Sequence, residues 1–225
     1  MFDLLMEKRG DNAKPATALQ AMDGTLADIS SGIISGTKVA TTIGWRPVEA
    51  IAAGDMVLTF DGGLQPVAEV RRRVVWGGGR EDHRHWPLHV PAGAMGNARP
   101  MLLLPDQTVL VESDAAEELT GDPFALIPAR ALDGFRGIAP AAPAMRLEIV
   151  QLAFETDEIV FANVGALVYC PADFDILAAI RRRIEAGGRV YEVMDFDTAE
   201  TLVTLMEIDE AGGPEAEQAR LSLAS

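Results

Sequence analysis

The sequence predicts a mostly β domain followed by helical segments. From Gly36 to about Tyr169, short runs rich in β-branched and other apolar residues alternate with turns that contain Gly or Pro. Many short strands separated in this way are typical of β-sandwich or barrel-like folds. The runs expected to form strands are TKVATT, DMVLTF, VAEVRRRVVW, HWPLHVP, PMLLLP, QTVLVES, FALIPA, RLEIVQLAF, EIVFAN and ALVYC.

Turn residues support this assignment. The segment FDGGLQP predicts a hairpin, because adjacent glycines can adopt positive φ. Prolines favour edge strands or strand ends because they lack an N–H for the ladder, and Pro47, Pro66 and Pro91 are expected at such places.

Helical patterns dominate the C-terminal part. In PADFDILAAIRRRIEAGGR, Pro171 suits a first turn, apolar residues recur at helical spacing from Ile176 to Ile184, and two glycines follow. A second helix is predicted around Thr198–Ile208, and ESDAAEELTGDP is expected to form a short, solvated helix inside the β region. We therefore expect a loosely ordered leader over residues 1–31, a β domain over 32–170 and a helical, acidic extension over 171–225.

Composition excludes several function classes. The chain has 225 residues and a formal charge of −15, from 34 acidic against 19 basic residues, so phosphate backbones are repelled and a nucleic-acid partner is not expected. A single cysteine excludes an internal disulfide and a thiolate-rich zinc site. No apolar run reaches the length of a membrane helix and the N-terminus does not resemble a secretory signal, so we expect a cytoplasmic protein without a membrane partner. No cofactor is expected, and the partner, a protein or a small ligand, stays unknown.

One block of sequence resembles the opening of the Hint family, the Hedgehog/intein domains. In SGTKVATTIGWRPVEAIAAGDMVLTF the matching parts are Gly36-Thr37, Val39, Pro47-Val48-Glu49 and Gly54-Asp55. PLHVPAGAMG and LLLPDQTVLV resemble the histidine-block region of bacterial Hint proteins, and EIVFANVGALVYC resembles the closing blocks. The resemblance covers roughly Gly32–Cys170 and implies a horseshoe-like fold of intertwined β-hairpins.

The resemblance also implies a self-processing reaction whose essential residues are missing. In the family, a first-position thiol or hydroxyl attacks the preceding carbonyl, and a histidine protonates the departing amide nitrogen. Here the nucleophile position falls on Gly32 and the histidine position on Gln107, and neither side chain can perform its step. The resemblance therefore implies a Hint domain with degenerate catalytic positions, not an enzyme, which serves as a binding or structural module.

Substitute nucleophiles remain an alternative. Ser30 or Ser31 would act if the register slipped by a residue, which gives an autoproteolytic protein with a non-standard nucleophile; a one-residue shift along a strand, however, reverses the side chain's face. Cys170 stands where the family's downstream nucleophile would be, but Tyr169 replaces the cyclising Asn. An ordinary buried apolar role suits this cysteine better.

A histidine cluster is the one candidate metal site. His83, His85 and His89 would share one face of a strand, and zinc accepts such ligands. Because they follow a Gly-rich charged stretch, an exposed loop cluster is the preferred interpretation. Trp45, Trp76 and Trp86 are expected to pack in the core.

Overall fold

A computed structural model describes residues 31–75, 83–174 and 191–212 of the chain. Within these ranges the chain forms fourteen β-strands and two α-helices, and the helices are α1, Asp114–Thr120, and α2, Phe196–Ala211. The leader up to residue 30, the part of the predicted helix beyond Phe174 and the tail from residue 213 lie outside the described residues. Residues 171–174, where that helix is expected to begin at Pro171, are not helical. The strands are β1 (Ile33–Ile34), β2 (Lys38–Thr41), β3 (Gly44–Pro47), β4 (Met56–Thr59), β5 (Gly63–Pro66), β6 (Glu69–Val75), β7 (Leu88–Val90), β8 (Met101–Leu103), β9 (Thr108–Glu112), β10 (Phe124–Pro128), β11 (Ala139–Pro140), β12 (Leu147–Ala153), β13 (Glu158–Ala162) and β14 (Ala166–Cys170).

The strands of the described ranges form three antiparallel sheets. The largest has the strand order β10-β9-β14-β13-β2-β4-β5, with β3 paired beside β2. A second sheet has the order β1-β12-β6, and a third has the order β11-β7-β8. The prediction of a mostly β protein is confirmed, and each of the ten runs expected to form strands contains one.

Alternation along the strands divides apolar side chains between two sides of the large sheet. On β9, Val109 and Val111 join the main hydrophobic core, whereas Leu110 joins a smaller cluster on the opposite face with Leu126 and Tyr169. Successive strand residues point to opposite faces, so a fully apolar strand needs cover on both sides. Burying each large apolar side chain contributes about 1.5–3 kcal/mol, which makes these two clusters the main source of stability.

The two predicted helices that fall in the described ranges are confirmed. Ser113 caps α1 through its hydroxyl, which accepts from the Ala116 N–H at 3.1 Å. Helix α2 begins after Asp195 and buries Ala199, Leu202, Val203 and Met206. Among the described residues, no helix combines the length and the apolar character needed to span a bilayer.

The expectation that the tryptophans pack in the core is wrong for Trp45. This residue is 37% exposed on β3, a strand that pairs only with β2. The register places Trp45 opposite Ala40 on β2. The inward-facing place on β3 goes to Arg46 instead, because neighbouring strand residues face opposite sides. Trp76 lies outside the described residues.

Candidate functional site

The side chain of Gln107 lies at the centre of the candidate site. A tight turn, closed by the Gln107 N–H donating to the Leu104 carbonyl at 3.0 Å, delivers it just before β9. Arg130 supports this turn, because its backbone N–H donates to the Pro105 carbonyl and its guanidinium pairs with Asp106 at 2.5 Å. Gln107 is only 1% exposed, so its amide must be satisfied inside the protein.

Both ends of the Gln107 amide are hydrogen-bonded, and its bonds join two distant parts of the chain. Its Oε1 accepts from the Gly32 N–H at 2.7 Å, and its Nε2 donates to the carbonyls of Thr108 and Tyr169, each at 2.9 Å. The structure thus brings together the two positions, Gly32 and Gln107, at which the family's nucleophile and histidine are expected. A glutamine amide does not titrate, so it holds this geometry without providing a general acid.

Gly32 is a glycine for steric as well as chemical reasons. Its φ is +140°, in a region that side chains rarely adopt. A Cβ built on Gly32 would lie 2.5 Å from Ile149 Cγ2 and 3.0 Å from Gln151 Cγ. The space that a nucleophilic side chain would need is therefore filled by β12.

Gln151 is a site residue that the sequence did not reveal. It lies on β12, and its Nε2 donates to the Ser31 carbonyl at 2.9 Å. The Ser31–Gly32 peptide group is therefore held at both polar atoms, by Gln151 at the carbonyl and by Gln107 at the N–H. Nothing in the run RLEIVQLAF distinguishes this glutamine from an ordinary strand residue, so only the packing of β1 against β12 identifies it.

The candidate nucleophiles lie in different surroundings. Ser30 is outside the described residues. Ser31 is half-buried, and its carbonyl belongs to the Ser31–Gly32 peptide group, which we call the junction. Cys170, at the end of β14, is 4% exposed and pairs with Glu158 across the sheet. Burial, assisted by the nearby Glu158 carboxylate, raises the pKa of the Cys170 thiol to about 12. This thiol is therefore protonated at neutral pH and is a poor nucleophile.

The chain that leaves β14 is fixed next to the junction. The Ala172 N–H donates to Asp157 Oδ1 at 2.9 Å, and the Arg71 guanidinium lies 4.4 Å from the centre of the Phe174 ring. Arg71 is the cross-strand partner of Gln151, the residue that holds the Ser31 carbonyl. Ser31 and Phe174 therefore both contact the β12–β6 pair, Ser31 through Gln151 and Phe174 through Arg71.

The three histidines do not share a strand. His83 and His85 lie in an exposed 3₁₀ turn, whereas His89 lies on β7 with its side chain exposed. The premise that one strand would align all three is wrong, because the turn ends before β7 begins. The His83 ring instead packs against the Trp86 ring at a tilt of 48°, with ring centres 4.2 Å apart. Among the described residues, no group of three or more His, Cys, Asp or Glu side chains is arranged to hold a metal ion.

A comparison of the sequence with known protein families identifies the class of this protein. A family model described as a Hint domain matches residues 32–167, which is more than half of the chain. The chain belongs to the Hint domain family. This confirms the family resemblance, and the matched region begins at Gly32 itself.

Solved structures with similar folds include intein and intein-like domains. A bacterial intein-like domain from Clostridium thermocellum is 17% identical, with a TM-score of 0.40 over 62% of this chain and 98% of that one. The N145AA form of the MchDnaB-1 intein is 12% identical, with a TM-score of 0.40 over 61% of this chain and 99% of that one. The gp41-1 intein is 12% identical, with a TM-score of 0.36 over 60% and 97%. No curated protein matches the chain.

Proposed function

We propose that this Hint domain does not process its own chain and acts as a structural module that holds its two flanking segments together at an uncut junction. One observation carries the proposal: the Gln107 amide bonds both the Gly32 N–H and the Tyr169 carbonyl. A non-titrating bridge occupies the place where the family's reaction needs a proton donor.

The missing nucleophile supports the same function. Gly32 offers no thiol or hydroxyl, and the raised pKa of Cys170 keeps the nearby thiol protonated. Chemistry of the family type needs both a covalent nucleophile and an acid for the amine leaving group. With neither present, the junction peptide is bound and positioned but not attacked.

Contacts on the two flanks support a positioning role for this domain. Gln151 holds the Ser31 carbonyl, Asp157 holds the Ala172 N–H, and Arg71 packs on Phe174. These bonds fix the chain on both sides of the domain against neighbouring strands. The domain thereby sets the relative position of whatever precedes Ser31 and whatever follows Phe174.

Intact mass of the purified chain tests the absence of processing. We expect a full-length product after prolonged incubation with a thiol or hydroxylamine, reagents that cleave thioesters and esters. A fragment that ends near Ser31, and that disappears after Ser30→Ala with Ser31→Ala, would instead establish the serine-dependent autoproteolytic function.

The bridge itself is tested by Gln107→Leu. This variant leaves the Gly32 N–H and two carbonyls without partners, and we expect it to lose about 2–4 kcal/mol of unfolding free energy in urea. Hydrogen exchange at the Gly32 amide should accelerate with it. As a matched control, Gln65→Leu removes one bond near the surface, to the Gly62 carbonyl, and should cost about 1 kcal/mol or less. Equal stabilities for the two variants would contradict the proposal.

A further inference from the structure

We infer that β12 supplies two residues that keep the Ser31–Gly32 peptide bond positioned yet closed to attack: Gln151 orients the carbonyl, and Ile149 occupies the space of a nucleophilic side chain. This inference rests on the proposed function, since it explains how the junction stays uncut. It assigns roles to two residues of one strand that face the same side of the sheet, as residues two apart do.

Gln151 acts as a positioning residue for the carbonyl. Its Nε2 lies 2.9 Å from the Ser31 oxygen, and a donor at that place stabilises negative charge that develops on the oxygen during attack. The Oε1 of the same amide is buried and has no hydrogen-bond partner in the described part of the chain. If the Gln151 amide rotated by half a turn, its Oε1 would face the Ser31 oxygen, and the two oxygens would repel each other. The Nε2 donor therefore stays directed at the Ser31 carbonyl.

The buried Oε1 of Gln151 has no hydrogen-bond partner among the described residues, and this lowers the stability of the fold. A buried acceptor without a partner costs about 1–3 kcal/mol. Gln151 is therefore kept for its bond to the Ser31 carbonyl despite this cost.

Ile149 closes the position of the missing side chain. Its Cγ2 lies 2.5 Å from a Cβ built on Gly32, well inside van der Waals contact. Ile149 is fully buried, and its branched side chain has little rotational freedom on a strand, so it cannot move aside cheaply. Replacing only Gly32 and Gln107 with reactive residues would therefore leave the new side chain misplaced.

The reaction that tests this inference is a thiol-dependent cleavage. In a variant with Gly32→Cys and Gln107→His, the new thiol loses its proton to solvent and attacks the Ser31 carbonyl carbon. A C–S bond forms, the C–N bond breaks, and the departing nitrogen takes a proton from the introduced imidazolium. Added dithiothreitol then exchanges with the thioester and releases residues 1–31.

Four variants separate the two roles. We expect the triple variant with Ile149→Ala to cleave about 10²-fold faster than the double variant, because misplacement of about 1 Å costs a reaction that much. Val150→Ala on the same double variant is the matched control, since Val150 is equally buried but belongs to the opposite face. Adding Gln151→Leu to the Ile149→Ala triple variant should slow cleavage about 10²-fold, as loss of an oxyanion donor does.

Thermal melts distinguish positioning from folding. Gln151→Leu also removes the unsatisfied oxygen, so its melting temperature should stay close to that of its parent while the cleavage rate falls. Gly32→Ala should lower the melting temperature of the native chain, and an Ile149→Ala background should relieve the part of this loss that comes from the clash with Ile149, while the part that comes from the positive φ remains. Val150→Ala should give no such relief. This comparison needs no cleavage and holds even when a reactive variant folds poorly.

The outcomes are distinct. Equal cleavage by the double and the Ile149→Ala triple variants, folded triple variants that never cleave, or equal costs of Gly32→Ala in both backgrounds would each overturn the role of Ile149. A rate independent of residue 151 would overturn the role of Gln151. Release of residues 1–31 from the native chain would contradict the proposed function itself.

Discussion

A carboxamide and an imidazole differ little in size, yet they give residue 107 different chemistry. Gln107 keeps an acceptor 2.7 Å from the Gly32 N–H, where a proton donor would be required to expel the amine. Its second end forms two bonds to carbonyls, which a single ring nitrogen of histidine does not reproduce. Under the proposed function, Gln107 provides no proton transfer and instead connects the residue before β1 to β14.

Val164 is a second residue whose backbone conformation conflicts with its chemistry. It lies at the tip of the β13–β14 hairpin with φ of +73°, and Asn163 before it has φ of +43°. This left-handed conformation is strained for a β-branched residue and lowers the stability of the folded state, whereas asparagine and glycine tolerate it. The side chain is half exposed, so it recovers little of that cost by packing.

Val164→Gly should therefore stabilise the protein. We expect a gain of about 0.5–1 kcal/mol after the greater flexibility of the unfolded glycine is subtracted. Urea unfolding measures it. Val193→Gly is the control, because Val193 is similarly exposed but has an ordinary negative φ, and that change should destabilise. A loss of stability in Val164→Gly would contradict the strain argument.

Among the elements, α2 stands out because it supports the turn that carries Gln107. Arg130 pairs with Asp106 on that turn and lies 4.8 Å from the ring centre of Phe196, the first residue of α2. The ion pair is about half exposed, so it contributes at most about 1 kcal/mol by itself. Its importance lies in connecting the start of a helix to the buried amide at the junction.

The start of α2 gives a pH-dependent prediction. The Asp195 carboxylate accepts hydrogen bonds from the N–H and the hydroxyl of Thr198. These bonds lower the pKa of Asp195 below the ordinary value of 3.8. A depressed pKa in the folded state adds stability above about pH 4, and this stability is lost as pH falls through the folded value. Asp195→Asn keeps a capping acceptor and should remove this pH dependence. Melting temperatures compared between pH 3 and pH 6 test it, and identical pH profiles for the two proteins would argue against the cap.

The strands were predictable because their pattern is local, and the junction was predictable only in part. Runs such as QTVLVES carry their own alternation, whereas β1 and β11 have two residues each and exist only through their partners β12 and β7. Gly32 and Gln107 followed from spacing within a family block. Gln151 and Ile149 did not, because their roles depend on β1 lying against β12, a contact between residues more than a hundred positions apart.

At the scale of the whole molecule, the rate at which reagents modify Cys170 measures how often the domain unfolds. Its thiol is buried in the main core and has a pKa of about 12, against an ordinary value of 9.0. Reagents for thiols should therefore modify it only when the domain unfolds. Rapid modification under native conditions would show that β14 opens locally.

The same thiol predicts a loss of stability in alkali. A raised pKa in the folded state contributes stability below pH 9, and above it the unfolded thiol ionises while the folded one does not. The native chain should lose about 1.4 kcal/mol per pH unit between pH 9 and pH 12 relative to Cys170→Ala. Urea unfolding of both proteins at pH 8 and pH 10 measures this difference. Parallel curves would show that the thiol is not desolvated.

The Gln107 bridge also places Gly32, where the region matched by the Hint model begins, beside Tyr169, two residues beyond its end, because both residues bond the same side-chain amide. When the two ends of a domain lie side by side, the domain can be inserted into a surface turn of another protein without separating the ends of that turn. Such an insertion costs the host little loop-closure entropy. The termini of the domain can likewise be joined by a short linker and new ones opened elsewhere. The fold is thus suited to circular permutation and to insertion as a cassette.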